Sequence, residues 1–347
     1  MKKKIKILIA VILCILALML LASGATLLNA LFSDYKAETG VVSSLAENSF
    51  EPETKVKVVT FNIAYCKGPK TFEGMSSLAQ ALTIESPEQV YKCLDNIAEM
   101  LKAENTDIAL LQEVNKKAVW SYGIDFAPYL SEKTGMGYYA YGAMHDFVWW
   151  PSIQKSPNRD VFFNLYFDTG NAIISRFPII SAENKAYDRQ SFIGWIVGKE
   201  RYLDTVIDIE GKNVRAISAH FNSNEAEERV KEARRLVSEA QDSEMPNIIG
   251  GDFNAILDEA KPLMPYSDLA QENDITMRIF RESGLFNLYM ERVDPADADY
   301  YTSNTMNPYR TLDFIIPTKS IEIKEYYVVD VELSDHKPVA AVLEVKS

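Results

Sequence analysis

The apolar positions of this chain fall into three regimes. Every residue from Ile7 to Ala22 is apolar and none between Ile7 and Phe32 is charged. A bilayer core takes roughly 20 apolar residues, so this run is long enough to cross one. From Ser33 to Thr54, Asp, Glu, Ser, Asn and Pro mix without period, which predicts a tether. From Lys55 onward, apolar runs of strand length alternate with stretches of helical period. Lys55–Ile63 and Asp107–Val114 are buried-strand patterns. Between them Ser86-Pro87-Glu88-Gln89 forms a capping box with Pro at the first helical position, and Val90, Leu94, Ile97, Ala98 and Leu101 follow at helical spacing. Further strands are predicted over 171–175, 202–209, 214–220, 247–250, 312–316 and 339–345, with a turn at Glu210–Asn213. A helix over 224–240 presents Ala226, Val230, Ala233, Val237 and Ala240 on one face. No internal repeat is present. Hairpins mixed with crossover helices predict an α/β fold: a two-layered sheet core with helices outside, in one domain of residues 55–347 that follows segments 1–32 and 33–54.

Composition and charge sharpen the outline. With 47% hydrophobic and 24% charged residues, the chain has the balance of a folded globule and not of a disordered one. Lysines 2, 3, 4 and 6 precede the apolar run, and such lysines stay cytoplasmic, so the remainder faces outward. Ala22-Ser23-Gly24-Ala25 offers a signal-cleavage site. The apolar run nevertheless outlasts the about 7–15 residues of a signal peptide's core, and Leu27, Leu28, Leu31 and Phe32 continue it. An uncleaved anchor in the cell membrane is therefore favoured, with secretion after cleavage as the alternative. The first 40 residues hold five Lys and two acids, which leaves 31 basic and 47 acidic residues beyond them, a net charge of −16. Such a surface lacks the Lys and Arg excess that gives nonspecific affinity for nucleic acid, although bound divalent cations offset it locally. Of three cysteines, Cys14 lies in the apolar run, leaving Cys66 and Cys93 either as a pair able to oxidise outside the cell or as two buried thiols.

Candidate chemistry gathers at strand ends, where polar groups escape the apolar sheet and line its rim. Two of the three histidines, His220 and His336, sit there. Asn62 ends the first predicted strand, Glu113 closes the second, and Asp252 with Asn254 follows a third. Asp313 lies inside the apolar run Thr311–Ile316 and needs a partner, because an unpaired charge in an apolar layer is costly. Each has a plain structural reading: a helix cap for Asp252 and Asn254, the start of a loop for Glu113, a structural arginine partner for Asp313. Together they supply hard oxygen ligands suited to Mg²⁺ or Mn²⁺ and groups for proton transfer, a combination that suits phosphoryl chemistry. Zinc-type Cys/His spacing, the Gly-x-Ser-x-Gly pattern and the Walker A pattern are absent from the sequence.

In order, the segments VVTFNIAY, LLQEV, GNAIISRFPI, AISAHFNS, IIGGDFNA, TLDFII and SDHKPVAAV span Val58 to Val342. This ordered series resembles the endonuclease/exonuclease/phosphatase superfamily, the DNase I-like fold. The resemblance implies a four-layer α/β sandwich of two facing mixed sheets flanked by helices, with the site on one rim. It implies that Asn62 and Glu113 hold the metal with Asp335 nearby or completing the site. Asp252 and Asn254 would orient or deprotonate the attacking water and bind the scissile phosphate. His336 would pair with Asp313, which fixes its tautomer and raises its proton affinity, and His220 would bind the phosphate or protonate the leaving oxygen. Arg201 would approach the site as a substrate-binding group.

Two departures bear on substrate. The carboxylate that partners the first histidine in the nuclease branch has no evident counterpart in the sequence, and basic loops suited to a DNA groove are missing. Tyr138–Phe167 is instead rich in aromatics: Tyr138, Tyr139, Tyr141, Phe147, Trp149, Trp150, Phe162, Phe163, Tyr166 and Phe167. These either pack the core or form a rim that grips a lipid headgroup, a sugar ring or a membrane interface. His145, within that stretch, carries no motif and reads as structural. The expected activity is hydrolysis of a phosphodiester or phosphomonoester at the outer face of a membrane, a lipid headgroup or small ester being preferred over nucleic acid; no protein partner is implied. An extracellular nuclease is the alternative, and an inactive binding module a second.

Overall fold

The structure, a computed structural model, describes residues 2–32, 35–42, 55–69, 86–118, 121–148, 153–156, 159–163, 166–187, 200–264 and 273–345. Its strands are β1 (Glu38–Val41), β2 (Lys55–Asn62), β3 (Ile108–Asn115), β4 (Tyr138–Val148), β5 (Ile153–Ser156), β6 (Arg159–Phe163), β7 (Tyr166–Ser175), β8 (Ile179–Ala186), β9 (Arg201–Ile209), β10 (Lys212–His220), β11 (Asn247–Asp252), β12 (Asp313–Pro317), β13 (Ile321–Val328) and β14 (Val339–Val345). Its helices are α1 (Lys2–Phe32), α2 (Pro87–Ala103), α3 (Phe126–Thr134), α4 (Ala226–Gln241) and α5 (Thr276–Ser283).

Two mixed sheets face each other. The first runs β1-β4-β7-β3-β2-β14-β13 and the second β12-β11-β10-β9-β8, with β5 and β6 as a separate pair. Val56, Val58, Ile108, Leu110 and Ile173 of the first sheet share one core with Ile217, Ala219 and Ile249 of the second, and that core continues to Leu236 of α4 and Phe280 of α5. A second core joins the outer face of the first sheet to α2 and α3 through Val59, Phe61, Leu94, Ile97, Phe126 and Leu130. The result is the expected four-layer sandwich: helices, sheet, sheet, helices. Gly250 lets the sheets close on each other, because a Cβ there would lie 2.6 Å from Leu110 Cδ1.

Local signals act as their chemistry dictates. Ser86 Oγ accepts the Gln89 N–H while Gln89 Oε1 accepts the Ser86 N–H, so both halves of the capping box start α2. Its apolar face is buried as expected. In α4 the apolar stripe is buried at Ala233, Val237 and Ala240, but Arg229 and Glu232 are buried as well, whereas Ala226 and Val230 are only partly so. Arg229 tolerates burial because it is paired, its Nε lying 2.6 Å from Asp274 Oδ2; Glu232 does so because Oε2 accepts the Asn222 N–H and burial pushes its carboxyl up to about 8.

The stretch read as a tether contains structure. Tyr35 is buried, and Glu38–Val41 adds β1 to the edge of β4, so part of that stretch packs as an element of the sandwich despite its polar composition. Cys66 and Cys93 are unbonded, and the Cys66 thiol, pushed well up by burial, shares a hydrogen bond with Cys93. Tyr141 packs in the core; Trp149 and Trp150 lie outside the described residues, as do the side chains of residues 147 to 167.

Candidate active site

Strand polarity builds the site. β2 and β3 are parallel, as are β10 and β11, so Asn62, Glu113, His220 and Asp252 emerge at the same rim. β12 runs antiparallel to β11 and opens with Asp313 directly opposite Asp252. Glu113 sits where the β3–β7 register shifts, with φ 56°, a left-handed backbone that turns its side chain inward. Beneath it Gln112 Nε2 donates to Ser218 Oγ at 3.0 Å, and Ser218 Oγ donates to Leu111 O, a buried polar bridge between the sheets.

Asn62 stands at the centre. Its Nδ2 donates to Asp252 Oδ2 at 3.1 Å and to Glu113 Oε1 at 3.3 Å, while its Oδ1 accepts the Ala64 N–H. In this arrangement Asn62 positions two carboxylates through its nitrogen. Asp252 Oδ1 accepts the Asn254 N–H, and Asn254 Nδ2 donates to Phe221 O. The His336 ring nitrogen Nδ1 is 2.8 Å from Asp313 Oδ2, and its Nε2 is 3.6 Å from Asp252 Oδ2. Thr302 Oγ1 accepts the Asp313 N–H and holds that strand start in place. His220 Nε2 lies 3.7 Å from Asp252 Oδ2 and 3.9 Å from Glu113 Oε1.

The two histidines are driven apart in proton affinity. Burial pushes both down, but Asp313 and Asp252 together carry His336 well above its ordinary value. For His220 burial prevails over Asp252, so it is lowered. The shifts are opposed: His336 holds its proton more tightly than an ordinary imidazole and His220 less tightly.

Glu113 is pushed up to about 8, first by burial and then by the charge of Asp335. A buried carboxylate beside Asp335 and Asp252 is the environment a divalent cation stabilises, and the donors are the hard oxygens that Mg²⁺ or Mn²⁺ prefers. Glu113 and Asp335 supply carboxylate oxygens of the type such an ion takes. Asp252, Asp313 and His336 also bring ligand atoms within 4.8 Å of one another, but the Asp313–His336 hydrogen bond suits that trio to proton transfer.

Of the expected residues, Asn62, Glu113, Asp252, Asn254, Asp313, Asp335, His220 and His336 are brought to one rim. Arg201 reaches the rim but not the cluster: its guanidinium lies 4.4 Å over the Tyr35 ring and donates to Asn184 O. A planar cation against an aromatic face is well satisfied there. Three neighbours stand outside the expected site residues, His145 having been read as structural. Tyr65 is raised by burial, Glu113 and Asp335. The charges of Glu200 and His145 both reach His220. Glu200 Oε1 accepts from Asn222 Nδ2, so this carboxylate acts on His220 through its field. For Tyr65 the signal was position, three residues after Asn62; Glu200 and His145 carried none.

Residues 59–336 match the model of the Endonuclease/Exonuclease/phosphatase family. The chain belongs to that family. Solved structures agree on the fold. An endonuclease/exonuclease/phosphatase from Beutenbergia cavernae matches with TM-score 0.56 and 18% identity over 84% of this chain and 72% of that one. The mannosyl-6-phosphatase Bt3783 of Bacteroides thetaiotaomicron matches with TM-score 0.51 and 14% identity over 83% and 99%. D. rerio TDP2 complexed with a single-strand DNA product matches with TM-score 0.50 and 12% identity over 84% and 99%. No curated protein matched. Members of the endonuclease/exonuclease/phosphatase family are phosphoester hydrolases and are generally dependent on a divalent metal. The rim of this chain carries an acidic and histidine cluster.

Proposed function

We propose that this protein is a divalent-metal-dependent phosphoesterase at the outer face of a membrane, with a lipid headgroup or another small phosphate ester as substrate in preference to nucleic acid. The observation that carries the reading is the convergence of the buried Asp313–His336 pair, 2.8 Å apart, with Asp252, Asn62 and Glu113 on one rim. Glu113 and Asp335 would hold Mg²⁺ or Mn²⁺, with Asn62 keeping Glu113 in place. Bound there, the cation supplies positive charge to the nonbridging oxygens of the ester.

The remaining work belongs to the chain. Asp252, fixed through Oδ1 by the Asn254 N–H, turns Oδ2 toward the cluster to orient the attacking water. Asn254, anchored on Phe221 O, would meet a phosphate oxygen. His336 enters the reaction protonated and supplies charge or a proton to the leaving oxygen. His220 enters neutral and accepts a hydrogen bond or a proton. The acidity of the exported part and its lack of a basic groove support a small ester over a polyanion.

The test is turnover by the full chain with Mg²⁺ or Mn²⁺ on sphingomyelin, phosphatidylinositol, bis-p-nitrophenyl phosphate, RNA and plasmid DNA, with Glu113→Gln as control. Cleavage of lipid or small esters without nicking, lost in the variant, is expected. Metal-dependent nicking lost in the variant makes the protein a nuclease. No hydrolysis of any substrate leaves a binding module and sinks the proposal.

A further inference from the structure

The end of α1 and the catalytic cluster lie on the same rim. Glu38 of β1 pairs with Tyr141, Tyr141 with Ala172, and Ala172 with Leu111, which places Glu38 two residues short of the level of Glu113. Because β1 opens at that end, the chain before Glu38 runs toward the rim. Tyr35 is fixed there. Asn184 Nδ2 donates both to Tyr35 O and to Ala143 O, Tyr35 is buried, and the Arg201 guanidinium covers its ring at 4.4 Å. Ala143 pairs with Gly170 and Gly170 with Val114, next to Glu113.

From Tyr35 back to Phe32, the last residue of α1, is three Cα steps, at most about 11 Å. Across the sheet β1 is three strand positions from β3, roughly 14 Å. The helix therefore ends on the catalytic rim, a few tens of ångströms at most from Glu113, and it touches β4. α1 is unbroken from Lys2 to Phe32 and is long and apolar enough to cross a membrane. The other end of the sandwich, where the β9–β10 turn sits at Gly211, is about 30 Å away along β10. β4 and β7 also continue beyond the rim, pairing from His145–Thr169 out to Val148–Tyr166, so this aromatic-rich hairpin projects from the end that carries the anchor.

We infer that the catalytic rim faces the bilayer holding α1, so that the site takes phosphate esters embedded in the outer leaflet of that membrane. The inference rests on the phosphoesterase reading for its substrate and on the anchor alone for its orientation. A net charge of −16 over residues 41–347 gives no electrostatic pull to an anionic surface. Holding the site there falls to the short connection, which raises the effective concentration of headgroups at the rim.

The test uses the full chain in phosphatidylcholine vesicles bearing an acceptor dye on a lipid headgroup. A fluorescent amino acid is placed at Ser223, just past His220, or at Lys212 on the far turn; both positions are exposed. Energy transfer severalfold stronger from position 223 is expected. Equal transfer, stronger transfer from position 212, or a mature chain that has lost α1 would overturn the orientation. A second arm inserts a 20-residue Gly/Ser linker between Phe32 and Tyr35. Hydrolysis of sphingomyelin and phosphatidylinositol in the vesicles should fall at least fivefold while hydrolysis of soluble bis-p-nitrophenyl phosphate stays unchanged; equal rates on the vesicle lipids overturn the inference. If no ester is cleaved by any form, the phosphoesterase reading fails while energy transfer still decides which end faces the lipid.

Discussion

Glu113 concentrates the tension of the site in one side chain: a left-handed φ of 56° at a register shift, and a carboxyl pushed up to about 8 by burial and by Asp335. Such a group costs the fold stability once it ionises without a cation. Its folded-state value lies above the unfolded one, so its contribution is complete below about 4.5 and is lost as pH rises through about 8. Glu113→Gln should therefore lower kcat by about 10²–10³-fold, yet melt no lower than wild type in metal-free buffer and higher above pH 8. A drop in melting temperature would show the carboxylate to be a structural element. Asp313 makes the complementary case, since it raises His336 where burial alone would lower it. If His336 works protonated, activity fails as pH rises past its value, and Asp313→Asn should move that alkaline limb to lower pH. The turnover of this variant should also fall by about 10²–10⁴-fold. An unmoved limb in the pH-rate profile would remove His336 from proton transfer.

At the scale of elements, the buried charges of α4 serve the strand end that carries His220: Glu232 accepts the Asn222 N–H, and Arg229 donates to Asn222 O. Burial pushes Glu232 up to about 8, so its stabilising share is full below about 4.5, declines between 4.5 and 8, and is gone above. Glu232→Gln keeps an acceptor for Asn222 and cannot ionise. Its melting temperature should match wild type near pH 5 and exceed it by a margin that widens to pH 8; a constant gap would refute the titration. This helix also shows where sequence reading stops. Its apolar stripe marked a helix correctly and included Ala233, Val237 and Ala240 of the buried face, but it missed the polar members Arg229 and Glu232, because Arg229 is paired by Asp274, 45 residues away. The capping box of α2 and the apolar strands β2, β3, β10 and β11 were legible because their signals are local. β8 and β13 were not, since these edge strands expose much of their length and lack a clean alternation. The site was legible wherever a polar residue ended an apolar run, as at Asn62, Glu113 and His220. Glu200 and His145 reach His220 only through tertiary packing, and Arg201, read as a substrate ligand, is drawn to Tyr35 by a partner outside the motif series.

For the whole molecule the question is where the sandwich begins. Composition placed its start at Lys55, yet Tyr35 and β1 pack on it: Tyr35 fills a site between Arg201 and Asn184, Glu38 pairs with Lys116, and β1 covers the edge of β4. Burying one aromatic side chain contributes about 2 kcal/mol, and a partly desolvated cation–π contact about 1 kcal/mol. A domain of this size shifts its melting temperature by roughly 2 °C per kcal/mol, so these contacts together correspond to about 6 °C. A chain of residues 55–347 should melt lower than one of residues 33–347 by at least that amount. It should also self-associate, because removing β1 leaves the backbone groups of β4 unpaired at a sheet edge. Tyr35→Ala in the longer chain removes both of those contacts and should by itself cost about 6 °C without the association, since β1 remains. Scanning calorimetry with sedimentation of the three forms separates the two effects. Identical melting of all three would mean that residues 35–42 rest on the sandwich without stabilising it, and the short link between α1 and the catalytic rim would lose its fixed point.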